Sequence, residues 1–542
     1  MNLIFPRKNE PNRRQFLVKT GCSAMGITSV VNTLAHLKLM QGALNAQPVG
    51  GGGYKALVCV FLNGGNDSNN MLMPLSGGAR ADYEAGRGLL AIPINNADAS
   101  LNALPIAATN IAESNPLSGY VGSYGIHPKL GAIKTLFEQG DAAFVANVGS
   151  MTMPGVTRAN YSTAPKPPQL YSHSDQQVQW QSSIPDRPFS SGWGGRIADL
   201  LDPVHNPSSG NVSMNISISG VNSFQVSPTG NVTPYIMSSN GLVSLSGYGT
   251  NYSSAVNNPN VLFEPSNYKT SAEAGRRLQA FESIINMANA NLMENAHNGV
   301  TVSARVTEGM VGSALLPTIA PGTNATTLDS YFTNAFADSG ISANNSFANQ
   351  MKLVARLIAG QSALGNGRQI FFVQHGGYDT HVAQIPEGSA TGGHTGLMST
   401  LNCALKGFAD ALKGPEVGNK WNDVVAFTAS DFTRTFTANK ADSSAGSDHA
   451  WGGHTLVMGG PVKGGRVYGK FPVLKLGTVT NSIDATGSRG LWIPSTSVDQ
   501  YAANIARWFG VDSSALSTIF PNLGRFVTLP NITSGNLDFL DA

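Results

Sequence analysis

Residues 54–70 read YKALVCVFLNGGNDSNN, an unbroken apolar run from Ala56 to Leu62 that ends in a turn of glycine, asparagine and aspartate. A strand buried on both faces shows such a continuous run, whereas a half-exposed strand alternates. Buried strands of this kind belong to parallel sheets, whose ligands gather beyond the C-terminal strand ends. Working outward, HPKLGAIKTLFEQG (127–140) predicts a helix with Leu130, Ile133, Leu136 and Phe137 on one face, and AAFVANVG (142–149) predicts a second buried strand. The rhythm returns with the strand QIFFVQ (369–374), a helix over Leu397–Leu412 striped by Leu397, Leu401, Leu405 and Phe408, and the strand DVVAFTAS (423–430). Strand and helix in alternation define an α/β class with a mostly parallel sheet. Helical spacing also marks Ser271 to about Met310 and residues 347–364, while residues 207–260 alternate short β-like runs with Gly, Pro and Asn turns and predict a β-rich insertion.

The chain has 542 residues, of which 12% are charged, and carries a net charge of +2. That charged share is about half the usual ~25% of soluble domains, so neutral polar groups and long loops solvate the surface. No basic run follows the extreme N-terminus, which excludes a nucleic-acid footprint. The N-terminus itself pairs Arg13-Arg14 with Phe16-Leu17 and Lys19, followed by a weakly apolar stretch and a cleavage point after Ala46. This pattern resembles a twin-arginine export signal over residues 1–46, with an amphipathic helix that begins a cytoplasmic domain as the alternative; a glycine linker at 47–53 and one domain from 54 to 542 follow. The expected partner in export is the twin-arginine translocase, and the expected location is the periplasm or outside the cell. No later segment offers about 18 consecutive apolar residues, so no membrane span is expected in the mature chain. Of the three cysteines, Cys22 falls in the signal; Cys59 and Cys403 read as buried thiols.

Three predicted strand ends carry metal-type ligands: Asp67 and Asn70 after the first, Asp379 and His381 in HGGYDTH, and Asp431 in TASDF. Asp448, His449 and His454 follow in the glycine-rich SDHAWGGH. Taken singly, Asp67 reads as a turn former and Asp379-Thr380-His381 as a solvated turn. Taken together, carboxylate oxygens and imidazole nitrogens suit zinc, manganese or iron better than magnesium or calcium. PPQLYSHSDQQVQWQ (167–181) opens a helix, and a helix N-terminus favours an anion. Ser172 and then Ser174 are the candidate nucleophiles there, with plain N-capping as the alternative for either. Arg434 is the candidate for binding substrate oxyanions, with an ion pair that holds its loop as the alternative. Arg158 and His173 are weaker candidates of the same kind.

FLNGGNDSNNMLMPL, GGYDTH, SDFTRT and GSDHAWGGHTLVMGGPVKGGRVYG resemble the twin-arginine-exported family catalogued as domain of unknown function 1501, itself similar to the alkaline phosphatase and sulfatase superfamily. The resemblance implies an α/β/α sandwich and a site with one or two divalent metal ions. It implies Asp67 as the first ligand, Asp379 and His381 as a second group, and Asp431 with His449 or His454 as the remainder. Phe432 stands where an Asp-His pair would place its histidine, which leaves the number of ions at one or two. The implied activity is hydrolysis of a phosphoester or sulfoester, on an anionic ester or glycan. The alternative is a non-catalytic envelope protein that binds a sugar or anionic ligand on a degenerate metal site. Ser183-Ile184-Pro185-Asp186-Arg187 matches the C/S-x-P-x-R pattern that sulfatases convert to formylglycine, but Ser183 follows a helical run rather than opening one.

Overall fold

A computed structural model describes residues 53–541 except 207–211, 240–244, 250–251, 260, 288–301, 303–304, 313, 316–323, 386–390, 478, 480, 530 and 535. The predicted export signal and most of the predicted glycine linker lie outside the described residues, as does part of the helical pattern predicted toward Met310.

The run at Ala56–Leu62 forms the strand Lys55–Leu62 at the centre of a nine-stranded sheet. It pairs in parallel with Arg368–His375 on one side and with Val424–Ser430 on the other. Beyond Val424–Ser430 comes Gly453–Met458, antiparallel to both that strand and its other neighbour, Ala142–Gly149. Short strands at Val467–Gly469 and Thr496–Ser497 then pair in parallel with Ala142–Gly149. The sheet is therefore mostly parallel, with Gly453–Met458 running against the rest.

Side chains alternate across a strand, so both faces of this sheet are apolar. Ala56, Val58, Val60 and Leu62 join one core cluster with residues of the helices Ser346–Ala359 and Gly393–Lys413. Leu57, Cys59 and Phe61 join the opposite cluster with the helices Trp193–His205 and Val498–Phe509. Burying each such Leu, Val or Phe contributes about 1.5–3 kcal/mol, and the helices exist largely to supply that cover. Their ends follow local rules: Ser497 and Gln500 form a reciprocal capping box, and Asn345 accepts a hydrogen bond from Ala348 N. Cys59 and Cys403 are free and buried, and they belong to opposite clusters.

Two departures from the sequence reading stand out. Within 207–260 the described strands are only Asn215–Ser217 and Tyr235–Ile236, and both extend the edge of the central sheet in parallel. The segment is mainly turns, because Pro228, Pro234 and the left-handed Gly220 and Gly230 interrupt any longer ladder. A second, three-stranded antiparallel sheet of Leu72–Ser76, Leu104–Ile106 and Ser123–Ile126 was not predicted. Among the described residues no helix is long and apolar enough to cross a membrane.

Candidate functional site

Beyond the C-terminal ends of the three central strands the chain turns sharply and brings polar groups together. After Lys55–Leu62, Gly64 has φ +113° and lies so close to Tyr378 and Asp379 that a Cβ would sit 2.5 Å from Asp379 N. Only glycine permits that approach. In return, Gly64 N donates to Asp431 Oδ1 at 3.1 Å. The helix His173–Ser182 enters the same space from a constrained loop in which Gln169 and Tyr171 hold left-handed φ values of 51° and 74°. For a bulky residue such as Tyr171 that conformation is strained, and strain of this kind concentrates where a site is being shaped. Here it delivers the Tyr171 carbonyl to within 2.7 Å of His449 Nδ1.

The resulting cluster is compact. His173 Nδ1 lies 2.7 Å from Asp431 Oδ2, which also accepts from Gln177 Nε2 at 2.9 Å. His381 Nδ1 lies 2.9 Å from Asp448 Oδ1. Around Asp379 Oδ1 stand His381 Nε2 at 3.1 Å, His449 Nε2 at 3.4 Å and His173 Nε2 at 3.5 Å. His381 Nε2 and His449 Nε2 are 2.9 Å apart. His173, Asp379 and His449 bring one ligand atom each within 4.8 Å of one another, a spacing that could hold a metal ion. The Phe432 ring packs at 4.7 Å from the His173 ring and 4.5 Å from the His449 ring, so it walls the cluster instead of contributing a ligand. Asp379 is half exposed, which leaves the cleft open to solvent.

Electrostatics follow from these contacts. Desolvation would raise the Asp448 carboxyl, but hydrogen bonds from Arg489, His381 and Asn439 outweigh it and hold the group at about 2. Asp379 is likewise lowered, the Arg434 guanidinium overcoming the effect of burial. His173 is raised by its hydrogen bond to Asp431, whereas burial lowers His449.

The sequence candidates divide accordingly. Asp379, His381, Asp431, Asp448 and His449 meet in the cluster. Asp67 is fully buried and engaged by Arg87 and by the Gln384 amide, so a guanidinium neutralises it. His454 is buried, with Nδ1 accepting from Asn147 N at 3.2 Å and its ring stacked on Phe471. Neither joins the cluster. Arg434 is also fully buried: its Nη1 reaches Asp379 Oδ1 at 2.7 Å and Gly64 O at 3.3 Å, and its Nη2 donates to Ser447 O. Both Nη groups are held by protein acceptors and Nε has no hydrogen-bond partner among the described residues, an arrangement that fits the alternative of an ion pair holding Asp379 and its loop. Ser172 stands at the N-cap and donates to Asp175 Oδ2 at 2.5 Å; Ser174 Oγ lies 3.2 Å from Ser172 Oγ. The residue underrated by sequence reading is His173, between those two serines. A signal was present, because His173 and Gln177 are four apart and share one helix face, and both reach Asp431.

No match is found among curated proteins or among solved structures. The family model described as "Protein of unknown function (DUF1501)" matches residues 54–512, which is most of the chain and holds every member of the cluster, and the protein therefore belongs to that family.

Proposed function

We propose that the protein is a metal-dependent hydrolase of phosphoesters, or of sulfoesters, in the cell envelope. The observation that carries this reading is the meeting of His173, Asp379 and His449 ligand atoms within 4.8 Å, in a cleft beyond parallel strand ends. The donor set fits a borderline divalent ion such as zinc, manganese or iron. Such an ion, when bound, polarises an ester oxygen and lowers the pKa of water. The chain's own groups would do the rest. Arg434 fixes Asp379, Asp431 and Gln177 fix the start of the His173–Ser182 helix, and that helix presents its N-terminus to an anionic group. Ser172 is the nucleophile this reading retains, with Asp175 placed to accept its proton. Phosphoesters are favoured over sulfoesters because Ser183 is buried at the C-terminal end of that helix and does not open one. The alternative, a non-catalytic envelope protein, draws support from the Arg87–Asp67 ion pair, since Arg87 neutralises the carboxylate that the superfamily pattern assigns to a metal. Purified exported protein supplied with zinc or manganese and assayed on p-nitrophenyl phosphate and p-nitrophenyl sulfate decides between them. Turnover that chelation abolishes supports the hydrolase, and absence of turnover on both esters favours the binding protein.

A further inference from the structure

The direction of the hydrogen bonds says more than the distances do. His449 Nδ1 faces the Tyr171 carbonyl at 2.7 Å, and a carbonyl can only accept, so Nδ1 carries the proton. His173 Nδ1 faces Asp431 Oδ2 at 2.7 Å, and both oxygens of that carboxylate already accept N–H groups, from Gly64 and from Gln177. His381 Nδ1 faces Asp448 Oδ1 at 2.9 Å, and Arg489 donates to the other oxygen. In all three rings Nδ1 thereby carries a proton, and in the neutral ring Nε2 keeps its lone pair. Each of the three Nε2 atoms lies within 3.5 Å of Asp379 Oδ1. His381 Nε2 and His449 Nε2 stand 2.9 Å apart, and His173 Nε2 is buried with no hydrogen-bond partner among the described residues. Neutral rings in this arrangement repel unless a proton or a metal ion sits among them, and a metal ion can serve all three at once.

The spacing suits one ion. With metal–nitrogen bonds of about 2.0–2.1 Å, neighbouring donors of a first-row ion stand about 3.0–3.4 Å apart. The separations of 2.9, 3.1, 3.4 and 3.5 Å bracket that range. An outer acceptor on the far nitrogen of every ring is also the usual support of a metal-bound histidine.

We infer that His173, His381, His449 and Asp379 form a single mononuclear centre for a borderline divalent cation, with Asp431, Asp448 and the Tyr171 carbonyl as its outer supports. The inference rests on the metal-dependent reading above and sharpens it in two respects. It makes the centre mononuclear, and it adds His381 to His173, Asp379 and His449 while leaving Asp431 and Asp448 outside the ligand set.

The test uses the mature full-length chain, stripped with chelator and titrated with Co²⁺ and then Zn²⁺. One Co²⁺ per chain is expected. Proton NMR of the cobalt form should show three strongly shifted, solvent-exchangeable N–H signals, one for each Nδ1. His173→Ala should lose one signal and bind Zn²⁺ at least tenfold more weakly, and Asp431→Asn should weaken binding by about 10- to 100-fold. Two ions per chain, no ion, or fewer than three such signals in the wild type would overturn the inference. The wild-type signal count decides the matter even if a variant fails to fold. A one-ion centre with the three signals but no ester cleavage would sink the hydrolase and leave the centre standing. Ester cleavage that persists in stripped protein with no Co²⁺ uptake would sink the centre.

Discussion

Replacing Arg434 by methionine tests how the cleft is held together. The guanidinium is fully buried and serves three acceptors: the Gly64 carbonyl, the Ser447 carbonyl and the Asp379 carboxylate. Methionine keeps most of the side-chain volume, so little cavity is created. What disappears is polar pairing. Each buried carbonyl left without its donor costs about 1–3 kcal/mol. The Asp379 side chain is 49% exposed and can be hydrated, so loss of the ion pair itself adds only about 0–1 kcal/mol. The variant should therefore be less stable by about 2–6 kcal/mol, nearly all of it from the two carbonyls. Urea unfolding of the metal-free protein, followed by tryptophan fluorescence, measures that difference. Zn²⁺ titration of the folded variant should show binding weakened by about 10- to 100-fold, because Asp379 loses the donor that orients it. A variant within about 0.5 kcal/mol of wild type, with unchanged Zn²⁺ affinity, would refute the argument that Arg434 positions the cluster.

Changing Arg13-Arg14 to Lys-Lys should leave the precursor in the cytoplasm; normal appearance of the mature protein in the periplasm or medium would point to a different route. Ser183 should remain an unmodified serine, and mass spectrometry of its tryptic peptide would expose an error by a loss of about two hydrogens, the mark of the aldehyde. Asp499 is fully buried, and burial pushes its carboxyl from 3.8 up to about 7. Because the raised acid binds its proton more tightly in the folded state, stability should fall as pH rises from about 4 to 7 and level off above. Asp499→Asn should flatten that slope and melt higher than wild type at about pH 8, whereas an unchanged slope would show that another group sets it.

The central strands were legible because burial on both faces leaves an unbroken apolar signature, as in Leu57 to Leu62 and Val424 to Phe427. The Leu401–Leu405–Phe408 stripe was legible for the same reason, since a core imposes its period on the helix above it. The small antiparallel sheet was not, because SYGI and the Pro74-containing LMPLS carry neither alternation nor a continuous run. At the site, the strand-end rule found Asp379 and Asp431, and the Asp448-His449 pair drew notice through its glycine-rich setting. It could not show that Asp67 is neutralised by Arg87 or that the Nη groups of Arg434 go to Gly64, Asp379 and Ser447, because pairing of side chains between loops leaves no periodic trace in a sequence. His173 was masked by the serines on either side, whose hydroxyls looked more reactive.

The contact between His173 and Asp431 spans 258 residues, and that between His381 and His449 spans 68. Closing loops of that length comes late in folding, after the local helices and the nearby strand pairs have formed. The cleft is consequently completed late, and no fragment shorter than residues 173–449 contains all of its members. Any ion captured there would mark a finished molecule, which makes the cluster a built-in report of folding as well as a place for chemistry.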